Sequence, residues 1–402
     1  MASQTVATFD AALKAIYTKD AVQNMTYKDN PLHALLPKME GFGGKNLPIP
    51  IIYANPQGRS ASFTNAQGNK TPTKVTDFVL TRESDYGLAS IDNEVLLASK
   101  GDSYAFLDAA TTEIDGAIQA VTRSIAISEY RDGTGNIGSV ANSSFTTAVL
   151  TLSDVEDITN FEVGMEIQMN ASGSLRNSGA SMPIVAVDRS NGTITLNAVV
   201  NSVITAAATN DFINVEGDFG EKISGLDAWI PSSAPGSTPF FTVDRSVDPT
   251  RLGGLRYDGS ALPIEEALIE IASLIGREGG SPDHCFMKFD KYSDLEKALG
   301  SKVQYVDLRA NAEIAFRGIL VNGPKGPIKV IPDQNALANV AFMLQMDMWK
   351  LYSLGAAPMI LDSDGNKWLR EASADSVEVR TGYYAQMGSR GPGRSGRISL
   401  SS

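Results

Sequence analysis

The sequence predicts an α+β protein built from an N-terminal arm, an extended hairpin, one long helix, an all-β insertion and an α/β region. Three observations carry that expectation. Residues 45–82 read as two strands around a polar centre. Residues 103–131 hold a helical period without a break. Residues 139–220 shift to Ser, Thr, Asn, Ala and Val with few Lys or Arg, and helical patterning returns only after them.

Bulk composition frames these parts. The 402 residues are 43% hydrophobic and 20% charged, enough for two or three packed domains and inconsistent with wholesale disorder. The net charge of -12 argues against nucleic acid as the main ligand, because phosphate binding draws on clustered Lys and Arg. No apolar run approaches the length needed to cross a bilayer, and Met1-Ala2-Ser3-Gln4 lacks the basic flank of an export signal. The expectation is therefore no membrane partner and no signal-directed export. Cys285 is the single cysteine, which excludes an intramolecular disulfide and fits a reducing compartment. With two histidines besides, a structural zinc site has too few ligands.

Residues 1–44 read as the arm. Phe9, Leu13, Ile16 and Tyr17 form a short apolar helix stripe, and prolines bracket the segment Asn30–Pro37. Residues 45–82 form the hairpin: Leu47, Ile49 and Ile51 alternate outward, and Val75, Phe78 and Leu80 return. Pro48 and Pro50 make the outgoing strand an edge, since proline cannot donate to a ladder. The tip, Asn55 to Thr73, is polar, with Phe63 as its large apolar residue. Ile49, Ile51 and Phe63 together are expected to leave apolar surface that a lone subunit does not cover.

Residues 83–138 contain the long helix. Leu107, Ala110, Ile114, Ile118, Val121 and Ile125 share one face, with Asp108, Thr112, Asp115, Gln119, Thr122 and Glu129 assigned to the polar face. Asp102 or Ser103 caps the start and Gly133 with Gly135 stops the end, giving a rod on the order of 40 Å. Residues 139–220 hold short β runs at Val163–Met169, Ile184–Val187 and Thr193–Leu196, closed as a barrel or sandwich. Ser190-Asn191-Gly192 signals a tight hairpin between the last two. A unit with its own core is expected to be removable without loss of the remaining fold.

Residues 221–260 lead back through a Gly- and Pro-punctuated linker to an α/β region at 261–387. Pro263 opens a helix with Ile264, Leu268, Ile271 and Ile275 on one face. Cys285–Lys288 reads as a buried strand, followed by a helix to Leu299. Strands are expected at Ile319–Val321, Ile328–Ile331, Val340–Leu344 and Met359–Leu361, with Val377, Val379 and Thr381 alternating in a last strand. Residues 388–402 read as a Gly/Ser/Arg tail whose Arg390, Arg394 and Arg397 are solvated.

No motif assembles into a catalytic, cofactor or metal site. Gly133-Thr134-Gly135-Asn136-Ile137-Gly138 matches a dinucleotide fingerprint in letters, yet it closes a helix and enters a β segment instead of opening a helix onto a pyrophosphate. His284 and Cys285 are adjacent in a strand, so their side chains point to opposite faces. Asp362-Ser363-Asp364-Gly365-Asn366 resembles the start of a calcium loop, but its glycine comes too early and Ser373 holds the place of the closing Glu. Glu265, Glu266 and Glu270 complement a helix dipole on a solvated face. No enzyme is expected.

In this order the parts resemble the tailed-phage major capsid proteins, a fold shared with encapsulin nanocompartments. The likeness is carried by Asn30–Pro37 in the arm, Pro263–Gly276 as a first axial helix, Pro282–Leu299 as strand plus helix, and Gly318–Asn335. It implies a hairpin that lies over an adjacent subunit, a spine helix in a peripheral domain, and an axial domain meeting its copies at five-fold and six-fold centres. It implies a structural subunit of an icosahedral shell that encloses phage DNA without sequence-specific binding, assembled in the host cytoplasm into the virion. The partners it implies are further copies in hexamers and pentamers, with scaffolding, portal and decoration proteins beside them. The family plan does not account for residues 139–220. No long charged N-terminal helix announces a fused scaffolding domain, and no motif singles out Lys70 or Lys74 for a cross-link. An encapsulin-like cage is the nearest alternative, and a β-rich tail or adhesin component a more distant one.

Overall fold

The computed structural model describes residues 28–94, 103–171, 173–300, 305–309, 315–362, 365, 367, 369–371 and 374–401. The stripe expected at Phe9 to Tyr17 and the cap at Asp102 lie outside them. The fold is mixed α+β with several sheets, and its long helix spans Ser103–Ser128. Ile114, Ile118, Val121 and Ile125 are buried as the spacing predicts. They lie on a six-stranded sheet organised by one long strand, Ser376–Ser389. Glu83–Asp92 runs antiparallel to its first part and Trp349–Ser353 to its last. Lys38–Glu40 adds in parallel to Leu351–Ser353, which knits the arm's stem into this sheet. Helix and sheet approach closely at Gly87, where a Cβ would stand 2.6 Å from Val121 Cγ2.

Among the described residues the hairpin strands Asn46–Ala54 and Lys74–Thr81 pair only with each other, with Val79 N also donating to Phe241 O (3.0 Å). Two expectations need correction here. Ile49 and Ile51 are buried within the chain, together with Phe78 and Leu80, so they offer no surface to a neighbour. Ile49 and Leu80 fit because residue 388 is glycine: a Cβ there would stand 2.7 Å from Ile49 Cδ1 and 2.8 Å from Leu80 Cδ1. Trp229 clasps the same root, its ring centroid 4.9 Å from that of Phe78 and 5.1 Å from that of Phe240. The tip is not all loop either. Phe63–Gly68 forms a short helix, and Thr71 N donates to Gln57 O (2.8 Å), closing the tip on itself.

The β-rich stretch forms a seven-stranded sheet that begins at Asn136, upstream of residue 139. Six strands follow the order Asn136–Ser139, Phe212–Val215, Glu166–Ala171, Ser181–Asp188, Thr193–Leu196 and Val149–Thr151. The first and last of these meet. Ala141 N donates to Thr151 O (2.9 Å), Ser153 N donates to Ser139 O (2.8 Å), and Val140 bridges Leu152. The sheet is therefore a closed barrel, which leaves those strands no open edge. Its interior is apolar, with Ile167, Met169, Ile184, Ile194 and Ile213 fully enclosed. The turn after Asp188 is a four-residue one, because the Asp188 carboxylate accepts from Ser190 N and Asn191 N. Only Gly192 takes a positive φ there (62°), so the expected two-residue Asn-Gly turn does not form.

A second seven-stranded sheet runs Leu255–Asp258, Gly396–Ser399, Val340–Leu344, His284–Met287, Gly326–Pro332, Ala315–Gly323, Tyr305–Arg309. Helices Ile264–Arg277 and Phe289–Leu299 belong to the same region, and Leu268, Ile271 and Ile275 pack with Cys285 and Met287. Residues 388–401 are not a loose tail, although Arg390 and Arg394 are exposed as expected. Gly396–Ser399 is an interior strand of this sheet with Ile398 fully buried, and Arg397 pairs with Asp227. Flanking strands satisfy its backbone on both sides, which the Gly/Ser/Arg composition conceals.

Candidate functional site

Local chemistry comes out as the strand and helix positions require. Cys285 packs in the core between sheet and helices, where burial pushes its thiol up to about 12. The His284 ring stacks on Phe286 on the opposite face, so no Cys–His pair exists. The Gly133–Gly138 segment follows the long helix and enters the barrel's first strand, with no helix beginning at its end. Asp362 O accepts from Gly365 N (2.8 Å) in a turn with Gly365 at φ 81°. Glu266 and Glu270 are exposed as expected, whereas Glu265 is half-buried. Among the described residues, no group of three or more His, Cys, Asp or Glu is placed to hold a metal ion.

Polar chemistry concentrates instead where the arm's stem meets the long helix. Glu129 is a correction: it is fully buried, with Oε1 2.6 Å from Nδ1 of the equally buried His33. The helix ends at Ser128, and residue 129 turns beneath the short helix Pro31–Leu35. Next to it Tyr130 OH donates to Asp333 Oδ2 (2.9 Å), which also accepts from Leu32 N (3.2 Å). Asn335 Nδ2 donates to Asn30 Oδ1 (2.8 Å). Burial pushes Asp333 up to about 6 and Lys38 down to about 8. The signal was present in the sequence: Glu129 stands four residues after Ile125, on the apolar register.

Two further ionic clusters tie elements together. Lys222 Nζ lies 2.6 Å from Asp85 Oδ2, 3.1 Å from Asp218 Oδ2 and 2.9 Å from Ser124 Oγ, joining the barrel's exit to helix and sheet. Asp157, at the barrel base, meets both Arg131 and Lys288 at 3.0 Å. Burial alone would raise Asp157, but those two cations hold it below the usual carboxylate range.

The first of these clusters predicts a pH dependence. Burial pushes Asp218 up to about 6, and burial with the Glu221 charge pushes Glu83 up to about 7. Both folded values exceed those of an unfolded chain, roughly 4. The stabilisation is therefore complete below about pH 4 and is lost as pH rises through 6 to 7. Lys38, at about 8, contributes no slope below that pH. Melting temperature should fall between pH 5 and 7.5, and Glu83→Gln should flatten the fall. An unchanged slope in that variant, followed by scanning fluorimetry, would show that Glu83 does not titrate there.

Several exposed apolar groups lie on the hairpin and on one edge strand. Ile52 (64% exposed) faces its register partner Val75 (53%) on the outer hairpin, and Phe63 (81%) caps the tip. Tyr86 and Leu88 are exposed on Glu83–Asp92, an edge strand whose alternate residues face the helix. No family model matches the chain and no curated protein matches it in sequence. Its fold does match solved structures. A chain of the cyanophage A-1(L) capsid asymmetric unit aligns over 92% of this chain and 93% of its own, at TM-score 0.55 and 14% identity.

The fold is tailed-phage major-capsid-like.

Looser matches include the capsid of an empty GTA particle (7% identity, TM-score 0.47, 93% and 90% covered). The SrpI encapsulin complex of Synechococcus elongatus PCC 7942 is another (9% identity, TM-score 0.45, 99% and 96% covered). Sequence reasoning reached the capsid-like fold through the order of its parts. It missed the buried His33–Glu129 pair and the closing strand of the second sheet.

Proposed function

We propose that this protein is the major subunit of an icosahedral shell that encloses phage DNA. The observation that carries the reading is the hairpin: two strands that, among the described residues, pair with no third, apolar at the root toward their own chain and exposed at Ile52 and Val75 on the distal outer face. Such a surface is completed by a neighbour, and a closed lattice completes it in every copy. In this reading residues 1–44 are an arm, 45–82 an extended loop over the adjacent subunit, and the helix Ser103–Ser128 the spine of a peripheral domain. Residues 261–387 with the closing strand form an axial domain, and the barrel decorates the shell or steadies its contacts. The capsid-like fold and the acidic balance support the reading, since net negative charge lets DNA be enclosed without being gripped.

Electron microscopy and light scattering of the purified protein, with and without a scaffolding protein, test it. Closed shells or hexamers and pentamers are expected. A monomer at high concentration in both conditions overturns it. DNA protected from nuclease inside shells from infected cells distinguishes a genome container from a protein-loaded cage. Deleting residues 56–72 should leave a soluble helical protein with little loss of stability, because the tip adds no residue to the core. Ile52→Asp should do the same by a single charge. Both should abolish stable shells, and normal shells from either would remove the hairpin from assembly.

A further inference from the structure

A two-stranded ribbon has two edges, and each is a template on which another strand can build. The return strand Lys74–Thr81 is rich in β-branched and aromatic residues, so its edge invites pairing. Val79 N donates to Phe241 O (3.0 Å) and Asp77 O accepts from Thr242 Oγ1 (3.3 Å), so these groups point away from the outgoing strand. The register partners of Val79 and Asp77 are Pro48 and Pro50. In an antiparallel pair, opposed residues turn their backbone groups both inward or both outward. Pro48 and Pro50 therefore stand where an N–H would face outward, and proline supplies none. Farther along that outgoing edge, Arg251 Nη1 donates to Tyr53 O (2.6 Å).

The return edge is covered by chain far away in sequence. Phe240 and Val243 exchange backbone hydrogen bonds (2.9 and 3.0 Å) around a two-residue turn. Such turns favour Asn and Gly where φ must be positive. Here the two residues are Phe241 at φ 44° and Thr242 at φ 75°. A β-branched residue in that region is strained, and the strain persists only where the surroundings hold it. The hold comes from the Phe240 ring, 5.1 Å from that of Trp229 and with the Arg245 guanidinium 4.1 Å above it.

We propose that both edges of the hairpin are closed against strand addition by a second copy, with the turn Phe240–Val243 as the guard on the return strand. Of the outward positions Val75, Asp77, Val79 and Thr81, the turn engages the central two. A partner then reaches the hairpin across its faces, not along its edges. The inference concerns the free subunit and does not rest on the shell reading. With the return edge alone opened, two copies can pair only with each other, so the product is a closed dimer.

The test opens each edge in turn, at concentrations where light scattering shows the parent as a monomer and circular dichroism shows each variant folded. Thr242→Pro cannot hold φ 75° and breaks the turn. Exchange at the Val79 amide should rise about tenfold or more, as its hydrogen bond is lost, and dimers should form. Adding Val79→Pro removes the outward donor, as Pro48 does opposite, and should restore the monomer. Thr242→Gly accepts the positive φ and should leave both the protection and the monomer unchanged. Phe240→Ala, which only loosens the turn's anchor, is read in the same way if Thr242→Pro fails to fold. Pro48→Val with Pro50→Val opens the other edge without touching the turn and should also give dimers. Opening both edges together should give chains longer than a dimer. A Val79 amide that exchanges freely in the parent overturns the proposal. So do edge-opened variants that fold and stay monomeric, or a Thr242→Pro dimer that survives Val79→Pro.

Discussion

Ile118→Asp is expected to abolish folding. Ile118 lies in the middle of the long helix and is 1% exposed, packed toward the sheet of Glu83–Asp92 and Ser376–Ser389. An unpaired carboxylate there must be desolvated or protonated, and either route costs several kcal/mol. Against a total stability of about 5–15 kcal/mol, that loss removes most of the margin. The variant should be insoluble, or soluble without helical circular dichroism. Gln119→Asp is the control, since residue 119 is exposed and a surface substitution typically changes stability by about 0.5 kcal/mol or less. Equal solubility and ellipticity in the two variants would show the helix face to be wrongly assigned.

Cutting out the barrel should destabilise the rest of the chain, contrary to what its composition predicts. The geometry for excision is favourable. Gly220 N donates to Thr134 O (3.0 Å), so the two chain ends of the barrel already touch. The chemistry is not. Lys288, 2% exposed, has Asp157 of the barrel as its carboxylate partner, and Ile127 of the long helix is buried in the barrel's core cluster. Excising residues 135–219 orphans that lysine, and breaking a buried ion pair by removing one side typically costs about 3–5 kcal/mol. Baring Ile127 adds to the loss. Lys288→Met with Ile127→Gln should recover at least half of it in urea titration. Stability unaffected by the bare excision would show that Lys288 finds solvent or another partner.

What the sequence disclosed follows from the range of the interactions involved. Ile114, Ile118, Val121 and Ile125 are legible because a helix repeats its environment every three or four residues. Barrel strands such as Thr193–Leu196 are legible because alternation is local too. The fate of Ile49 was not, because what receives it is the absence of a side chain at Gly388, far along the chain. Glu129 was misassigned although it falls on the buried register, because a carboxylate reads as polar until its histidine is located. The residues after 388 were misjudged for a related reason. Ile398 and Leu400 stand two apart as in a strand, but Gly, Ser and Arg around them outweigh so short a signal.

The position of that strand bears on the order in which the molecule is made. Gly396–Ser399 lies between Leu255–Asp258, which it meets in parallel, and Val340–Leu344, which it meets antiparallel. Until it arrives, those two strands have no ladder between them, and Leu255–Asp258 has no other partner in the sheet. A nascent chain can complete its barrel and its hairpin long before synthesis reaches residue 396, yet the second sheet stays divided. Contacts of such sequence separation form slowly and late. Chains that stop short of this strand leave Leu255–Asp258 without its ladder and Val340–Leu344 open along one side, and such bare strand edges are where misassembly starts.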